Sequence, residues 1–459
     1  MIYYQGSQYG LAYDPRSNLN VTWIDSTAYR PTFLNQSAGR YSRYPQVVAQ
    51  WDGANTIVHV LLWEDTVGTM LSGDYCCNNL PYYTVSYFRK VGDEATVGTW
   101  SAGRPIDSCW FPWASLAAAP YPQTGLAVTY TNPTFYGGLI DNPNDLDVWC
   151  RESFDRGVSW PTAYSVTNYM NAIAGHPNHF TAWLETQALY DISGDLHVVW
   201  TAKPTSSDPY FDGFDWTGFD QNIYHWAKST NEIVKVATGS YEDFDDLCGG
   251  IVTNVYGFGG SNAGFIANIS LSQCDDNLYC IWNQIHQRAN RNDGRCYQPQ
   301  PMPGVLDDCA YTDNPMARAN WEIMMSVARM ETPHLWDLAR NVSNTYKPDC
   351  GLAGDPMADG LCGSEYKPTV ERYGLDETGL DLTWPAATDV DLSPGHNYSG
   401  SFHLNMQYLD DQFPGPSMWG EWQTQPKTLN WTRWIRLACV EPVEAAWIVV
   451  RPPSISWPK

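Results

Sequence analysis

Apolar and polar residues alternate along much of the chain in short runs, and turn-forming residues interrupt the runs at regular intervals. Alternation with a period of two is typical of β-strands with one buried face. The clearest example begins at Pro45, passes through the turn sequence Asp-Gly-Ala-Asn and ends at Trp63, 18 residues later. We interpret it as two antiparallel strands joined by a tight turn, because hairpin turns favour Asp, Gly and Asn.

This hairpin recurs along the chain and usually ends on an aromatic residue. A variable loop then leads into a third strand rich in aromatic residues, such as Leu146–Glu152. Repeats of three or four short antiparallel strands are typical of the blades of a β-propeller. The hairpins run from Pro45 to Trp63, Pro112 to Tyr130, Ala182 to Trp200, Gly264 to Trp282 and Pro368 to Trp384, with looser versions at 11–23 and 435–450.

The repeat predicts an all-β fold: one β-propeller domain over residues 1–459, with long loops pinned by disulfides. The hairpin count gives seven blades, and six remain an alternative because the first unit is short. The segment Met1–Ser7 resembles a third strand and is predicted to complete the last blade. A pair of β-sandwiches is the competing interpretation, but it does not require a repeated hairpin that ends on Trp. Only residues 314–318 favour a short helical loop.

The composition narrows the function classes. The chain carries 50 acidic and 26 basic residues, which gives a net charge of −24. This charge argues against binding of nucleic acids, because their phosphate backbone requires a basic protein face. Aromatic residues make up 14% of the chain and charged residues only 17%, which excludes a disordered chain. Because no apolar run approaches the ~20 residues that span a bilayer, we expect no transmembrane segment.

Cysteines and glycosylation motifs favour an oxidising, extracellular location. The chain has 12 cysteines, and the close pairs Cys274/Cys280, Cys296/Cys309 and Cys350/Cys362 are candidates for local disulfides. No signal peptide begins at Met1, so either a leader has been removed or the chain is cytosolic with free thiols; we favour the first. Six Asn-x-Ser/Thr motifs are candidate glycosylation sites: Asn20, Asn35, Asn268, Asn341, Asn397 and Asn430.

One motif identifies a family. Ser153, Asp155, Gly157 and Trp160 fit the pattern Ser-x-Asp-x-Gly-x-x-Trp, so the chain resembles the sialidase-like Asp-box (BNR-repeat) β-propellers. The spacing serves a turn, because Asp155 can accept hydrogen bonds from turn amides, Gly157 permits a positive φ and Trp160 can pack between blades. The resemblance implies that the box lies between the third and fourth strands of a blade, away from a catalytic face. It therefore indicates a fold rather than an activity.

The resemblance also implies which residues a sialidase would need: three arginines, an Asp acid/base and a Tyr–Glu nucleophile pair. Arg43-Tyr-Pro45 is similar to the Arg-Ile-Pro element of that family, and Asp65 follows where the acid/base is expected. The remaining arginines and the Tyr–Glu pair have no assignable counterparts. The charge of −24 would repel an anionic sugar unless a local basic pocket overcame it. A hydrolase of neutral sugars would instead use two carboxylates about 5–9.5 Å apart.

Metal chemistry has weaker candidates. Asp243, Asp245 and Asp246 form an acidic cluster that offers oxygen ligands to Ca²⁺, although most such loop acids are expected to be solvated. His176 and His179 are the only close His pair, and a zinc or copper site would need further ligands. No cofactor is required by the sequence.

These observations favour a secreted, glycosylated β-propeller without catalytic activity. We expect it to bind glycans or extracellular proteins, or to assemble with itself as a structural subunit at a cell surface. The excess of Trp and Tyr supports such contacts, because these side chains stack on sugars and dominate protein interfaces. The alternative is a sialidase-like glycoside hydrolase that uses Arg43 and Asp65 in the central cavity of the propeller.

Overall fold

A computed structural model describes the strands of the chain and the turns that join them. The described residues are 2–4, 11–13, 32–33, 40–66, 83–92, 100–101, 103–109, 114–133, 135–136, 139–140, 146–167, 180–204, 221–239, 266–285, 321–343, 364–370, 372–373, 403–411 and 431–442. Within them every regular element is a β-strand, so the all-β prediction is confirmed. No helix in this part of the chain is long and apolar enough to cross a membrane.

In the described residues, six sheets of three or four antiparallel strands follow one another in chain order. A separate two-stranded ribbon, β10 (Phe135–Tyr136) and β11 (Leu139–Ile140), interrupts the third. The strands of the six sheets are β1 (Ile2–Tyr4), β2 (Leu11–Tyr13) and β3 (Thr32–Phe33); β4 (Arg40–Trp51), β5 (Thr56–Thr66), β6 (Tyr83–Val91) and β7 (Arg104–Cys109); β8 (Ser115–Ala118), β9 (Leu126–Pro133), β12 (Leu146–Ser153) and β13 (Tyr164–Ser165); β14 (Phe180–Tyr190), β15 (Leu196–Pro204), β16 (Gln221–Ala227) and β17 (Glu232–Gly239); β18 (Ile266–Cys274), β19 (Asn277–Ile285), β20 (Trp321–Arg329) and β21 (Arg340–Asn341); and β22 (Ser364–Val370), β23 (His403–Asp411) and β24 (Trp431–Ala438).

The four-stranded sheets reproduce the predicted repeat. In each of them the first two strands form the tight hairpin and the third strand pairs with the second, as in β4-β5-β6-β7 and β14-β15-β16-β17. Consecutive sheets touch through their first strands, in the order β1, β4, β8, β14, β18 and β22. Sheets that adjoin in this way are typical of the blades of a β-propeller.

The hydrophobic core lies between the sheets. Separate clusters fill the spaces between the second and third, third and fourth, fourth and fifth, and fifth and sixth sheets. Trp63, Trp200 and Trp282, which end the predicted hairpins, are fully buried in three of these clusters. At ~25 cal/mol per Å² and ~150–250 Å² each, burial of one such side chain favours folding by about 4–6 kcal/mol.

The last unit differs from its predicted form. The strand expected third in that unit lies in β23 and pairs directly with β22, while the expected second strand, Leu380–Trp384, lies outside the described residues. The looser hairpin predicted at 435–450 begins within β24, the third strand of the sixth sheet, and its second half lies outside the described residues. At the other end of the chain β1 pairs with β2. Closure of a last blade by Met1–Ser7 stays a prediction.

One disulfide joins two sheets rather than closing a local loop. Cys274, at the end of β18, is bonded to Cys439, just after β24. The predicted pair Cys274/Cys280 is therefore wrong, and Cys280 is a buried free thiol in β19. The spacing of the cysteines did not indicate this pairing, because the partner of Cys274 is 165 residues away in the sequence. The candidates Cys296, Cys309, Cys350 and Cys362 lie outside the described residues.

Candidate functional site

The four-stranded sheets have two unlike edges. At one edge, here called the turn edge, the first and second strands are joined by short turns, such as 52–55 and 191–195. At the opposite edge, the loop edge, the second strand leads to the third through long connections: 67–82, 134–145, 205–220 and 286–320. Long connections gathered on one side of a rigid scaffold are where binding sites usually lie.

Hydrogen bonds fasten the turn edges of successive sheets to one another. Gln50 Nε2 donates to the Ala119 carbonyl at 2.9 Å, which links the second sheet to the third. Gln273 Oε1 accepts the backbone N–H of Ile192 at 2.9 Å, which links the fourth to the fifth. The backbone N–H of Gln273 donates to the Arg372 carbonyl at 2.8 Å, which reaches the sixth. The turn edges of these sheets therefore lie on one face, and the loop edges lie on the other.

Arg372 and Tyr373, which follow β22, bring the sixth sheet against sheets that are not its neighbours in the chain. Arg372 Nη2 donates to the Leu116 carbonyl in β8 at 2.5 Å, and Tyr373 Oη donates to the Tyr190 carbonyl at the end of β14 at 2.7 Å. Burial lowers the pKa of Arg372. These contacts join the sixth sheet to the third and fourth sheets on the turn face.

Four first strands carry a β-bulge on the side of the loop edge. The register shifts between Arg43 and Gln46, between Ala182 and Thr186, between Ala267 and Ser270, and between Tyr366 and Thr369. A bulge turns side chains away from the regular pleat, and bulges are enriched beside active sites. Their recurrence in the strands nearest the axis marks this region as the candidate site.

Two half-buried polar side chains occupy these bulges. Glu185 Oε2 accepts the backbone N–H of Ile269 at 3.1 Å, so the bulge of the fourth sheet holds the bulge of the fifth. Asn268 has a positive φ of 54°, and its Nδ2 donates to Oδ1 of the buried Asn283 at 3.1 Å. The bulges thus bring a carboxylate and amide groups to the loop edge, and such groups suit recognition of hydroxyl groups.

The catalytic candidates Arg43 and Asp65 lie at the same end of the second sheet. Arg43 is paired with Trp63 in the register of β4 and β5, and Asp65 is paired with Tyr41. Asp65 is thus two residues beyond the partner of Arg43, a diagonal position on the same face of the sheet. Backbone pairing alone therefore brings these two predicted residues together near the bulge.

The Asp-box residues form a turn at the opposite edge. Gly157 N–H donates to Ser153 Oγ at 2.8 Å, and Ser159 donates to Asp155 through its backbone N–H at 2.8 Å and its hydroxyl at 2.6 Å. The ring of Trp160 packs edge-on against Tyr87 of the second sheet, with centroids 5.0 Å apart. The turn joins β12 to β13, the third and fourth strands, as the resemblance implied.

The Asp155 carboxyl is held ionised by these contacts. Its slight burial raises its pKa, but hydrogen bonds from Ser159 and Ser153 outweigh that effect and lower the pKa to about 2. Gly157 has a φ of 78°, and a β-carbon there would lie 2.7 Å from Cζ of Tyr87. Both residues therefore serve the turn, which lies on the face away from the bulges.

The other predicted sites are only partly described. Asn341 lies in β21 and is half-buried, and Asn268 lies in a bulge where the nitrogen that would carry a glycan donates to Asn283. Glycosylation stays a prediction at every motif. Three groups lie outside the described residues: Asn20, Asn35, Asn397 and Asn430; the calcium candidates Asp243, Asp245 and Asp246; and the pair His176 and His179. Within the described part of the chain, no cluster of His, Cys, Asp or Glu is arranged to hold a metal.

Sequence reasoning missed Glu185 and Asn268. Within sheets, Pro is confined to bulges and edge strands. Pro45 and Pro368 lie in two of the four bulges, so the sequence contained a signal for these two. The bulges at Glu185 and Asn268 contain no Pro or Gly. From the sequence alone, their polar residues are those expected on the solvent-facing side of a regular strand with alternating polarity.

Comparison with known proteins adds similarity of architecture at low sequence identity. No protein-family model matches the chain, and no curated protein matches it. A sialidase of Trypanosoma rangeli in complex with sialic acid is 7% identical with a TM-score of 0.38, over 83% of this chain and 47% of that one. An α-L-arabinofuranosidase of Podospora anserina in complex with cellotriose is 11% identical with a TM-score of 0.33, over 87% of this chain and 91% of that one. The chain thus spans about half the length of the sialidase, and its site residues must be assigned from its own geometry.

Proposed function

We propose that this chain is a secreted β-propeller that binds a carbohydrate at the axis of its loop face. One observation carries the proposal: the bulges of the first strands place Arg43, Glu185 and Asn268 at the edge where the long connections begin, and Asp65 lies at the same edge in the second strand β5. Carbohydrates are recognised by such mixed donors and acceptors together with aromatic faces. The connections supply aromatic residues in sequence, as in Tyr210–Trp216.

The proposal includes a closed ring of six blades, one for each of the six sheets. Contacts of Arg372 and Tyr373 across the axis support a ring, and the Asp-box turn supports membership of the Asp-box type. The inter-sheet disulfide supports an extracellular location, where such bonds persist. Calcium binding at Asp243, Asp245 and Asp246, and glycosylation of Asn20, Asn35, Asn341, Asn397 and Asn430, are carried as part of this proposal, whereas Asn268 is assigned to the carbohydrate site because its Nδ2 already donates to Asn283.

A glycoside hydrolase is the second candidate function, and the pairing of β4 with β5 favours it. Asp65 lies diagonally from Arg43 on one face of the hairpin, so an acid and a cation would meet at the site. In such an enzyme Asp65 would donate a proton to the leaving oxygen of the glycosidic bond, and Arg43 would bind an anionic part of the sugar.

Binding of a panel of oligosaccharides to the purified chain tests the proposal. We expect Glu185→Gln to weaken binding of the recognised sugar by about 10- to 100-fold, because hydrogen bonds to charged groups contribute about 1.5–3 kcal/mol. Glu331→Gln is the matched control, since Glu331 is an exposed carboxylate at the turn edge. If no oligosaccharide binds, or if both variants bind as the wild type does, the carbohydrate proposal is wrong.

Release of reducing sugar from the recognised oligosaccharide separates the two candidate functions. A hydrolase should release sugar with the wild type and lose at least about 100-fold in rate with Asp65→Asn, as expected for loss of a general acid. Binding without release identifies a non-catalytic carbohydrate-binding propeller. Release that Asp65→Asn leaves unchanged would remove Asp65 from the mechanism.

A further inference from the structure

Two arginines of the second sheet lie side by side where that sheet packs against the Asp-box turn. Arg104 in β7 is paired with Tyr87 in β6, and Arg89 is two residues farther along β6. Side chains two residues apart on a strand point to the same face, and diagonal neighbours lie about 7–8 Å apart. Arg89 and Arg104 therefore extend together from the face of the second sheet that meets the third.

Each of these arginines is held by one backbone carbonyl of the Asp-box turn. Arg89 Nε donates to the Arg156 carbonyl and Arg104 Nη1 donates to the Val158 carbonyl, both at 2.8 Å. Because a guanidinium group carries five N–H donors, most donors of each side chain remain after this bond. Arg151 in β12 is different, since its Nε, Nη1 and Nη2 are all bound to backbone carbonyls.

A third cation, Arg156, extends from the turn into the space between the two sheets. Its Nη2 lies 3.3 Å from the Pro122 carbonyl and 3.5 Å from the Gln123 carbonyl. Its Nε is buried and has no hydrogen-bond partner among the described residues. Within the same part of the chain, none of Arg89, Arg104 and Arg156 forms a salt bridge with a carboxylate.

The two acids near these cations are already bound elsewhere. Asp155 accepts hydrogen bonds from Ser153 and Ser159, and Asp52 accepts the backbone N–H groups of residues 54 and 55. In a chain with a net charge of −24, three arginines without a carboxylate partner leave a local positive charge on the turn face. A bound anion would balance this charge.

A buried histidine adds a second unmatched donor. His59 in β5 is paired with Arg89, so it lies on the same face of the sheet, and its exposed fraction is 0%. Its Nδ1 lies 2.6 Å from Tyr87 Oη, and its Nε2 has no partner among the described residues. The charges of Arg89 and Arg104 act on the Tyr87 hydroxyl and attract its lone pairs. The hydroxyl proton therefore points to Nδ1, and the ring proton is assigned to Nε2.

The N–H groups of Arg156 Nε and His59 Nε2 thus lack an acceptor in the described part of the chain. Buried donors are almost always satisfied by protein, by water or by a bound ion. A water molecule satisfies such donors but leaves the charge of three arginines unbalanced, whereas an anion does both.

We propose that Arg89, Arg104 and Arg156 bind a sulfate or phosphate group at the seam between the second and third sheets. Three guanidinium groups from two sheets match an anion with three or four oxygens better than a carboxylate with two. Val158 is 55% exposed beside Arg104, so an organic group that carries the anion as an ester has an apolar surface to contact. This oxyanion site lies on the turn face, so it is separate from the carbohydrate site proposed at the loop edge.

Calorimetric titration of the full chain with inorganic sulfate and inorganic phosphate, at constant ionic strength, tests the site. We expect at least one of them to bind with a Kd below about 50 mM. Arg104→Gln should weaken that binding by about 10-fold or more, because it removes hydrogen bonds between charged groups. Arg104→Lys keeps the charge but loses the planar fork, so it should weaken binding nearly as much. Arg329→Gln is the matched control, since Arg329 is an exposed arginine of the turn face that is paired with Glu331 and Glu441.

A sulfated oligosaccharide and its unsulfated form identify the source of the anion. Any binding at the loop edge is common to both forms, so the gain in affinity from the sulfate reports the oxyanion site alone. A gain that exceeds the affinity for inorganic sulfate and disappears in Arg104→Gln supports an ester ligand, and no such gain supports a free ion.

Three results would overturn the proposal. They are no binding of either inorganic anion, binding that Arg104→Gln or Arg104→Lys leaves unchanged, and an equal loss in Arg329→Gln. Because Arg104 is exposed, we expect its variants to keep the wild-type unfolding midpoint without anion, which separates loss of the site from loss of the fold.

Discussion

Single residues hold the Asp-box turn in a conformation that few substitutions allow. Gly157 combines a φ of 78° with contact to Tyr87 of the neighbouring sheet, so both its backbone and its missing side chain matter. These two demands have different energetic origins, because a positive φ strains the residue itself while a β-carbon displaces a neighbour.

Replacement of Gly157 by Ala should lower the free energy of unfolding by about 2–5 kcal/mol, the sum of left-handed strain and overpacking. Gly53→Ala is the control: it also has a positive φ, of 98°, but a β-carbon there would lie 3.4 Å from Tyr121, an ordinary contact. We expect only about 1–2 kcal/mol there. If urea titrations show the same loss of unfolding free energy for both variants, the Tyr87 side chain moves aside without an energetic penalty.

The sequence predicted the residues of this turn, and Arg43 and Asp65 of the candidate site, but not Glu185 and Asn268. Asp155 and Gly157 occupy fixed places in a short local motif, and local motifs are visible in a sequence. Glu185 and Asn268 gain their significance from an extra residue in the strand and from a neighbour in the next sheet. Neither relation leaves a local pattern.

At the scale of elements, the second strands of two sheets carry a buried histidine at an equivalent place. His59 in β5 shares a hydrogen bond of 2.6 Å with Tyr87 Oη, and His197 in β15 lies 3.1 Å from His225 in β16. Burial lowers the pKa of His59 to about 3 and also lowers that of His225. The folded chain therefore favours the neutral form of His59 and His225, which join second strands to third strands.

The free energy of unfolding should fall as the pH drops below about 6.5. A histidine with a lowered pKa in the folded chain stays neutral while the same residue in the unfolded chain gains a proton, so acid favours unfolding. The loss from His59 begins near its ordinary pKa of 6.5, continues towards pH 3 and amounts to a few kcal/mol at about 1.4 kcal/mol per pKa unit.

Urea unfolding between pH 7 and pH 4 measures this effect. We expect His59→Asn to flatten the pH dependence. Tyr87→Phe, which removes the same hydrogen bond but keeps the imidazole, should lower stability while preserving the slope. A slope that His59→Asn leaves unchanged would mean that His59 is protonated in the folded chain.

The hairpins themselves were predictable because each is local in sequence. The first and second strands of four sheets were located by alternation and turn residues, and the burial of Trp63, Trp200 and Trp282 followed from their place at hairpin ends. The sixth sheet was predicted less well, because β22 pairs with a strand that follows a long connection. Pairing across such a distance depends on loop closure and packing, which a sequence pattern does not encode.

At the scale of the whole molecule, the disulfide Cys274–Cys439 ties the fifth sheet to the sixth. It spans a sequence separation of 165 residues, so it removes much of the freedom of the unfolded chain. Chain-entropy reasoning gives a contribution of about 4–5 kcal/mol for a loop of this length.

Cys439→Ala should therefore lower the free energy of unfolding under non-reducing conditions by up to about 5 kcal/mol. Cys280→Ala is the control: Cys280 is a buried free thiol on the strand beside Cys274, and its replacement removes one sulfur without opening a loop. If both variants lose the same stability in denaturant titrations, the cross-link contributes nothing beyond its packing.

The fastening of the turn edges also has an evolutionary consequence. Gln50, Gln273 and Arg372 join the sheets at one face, so these bonds do not depend on the sequence of the connections at the opposite edge. Insertions and replacements in these connections leave the bonds at the turn edge intact. The binding specificity of the molecule can therefore change during evolution while its fold is preserved. The same separation makes the connections natural points for grafting foreign peptides onto this scaffold.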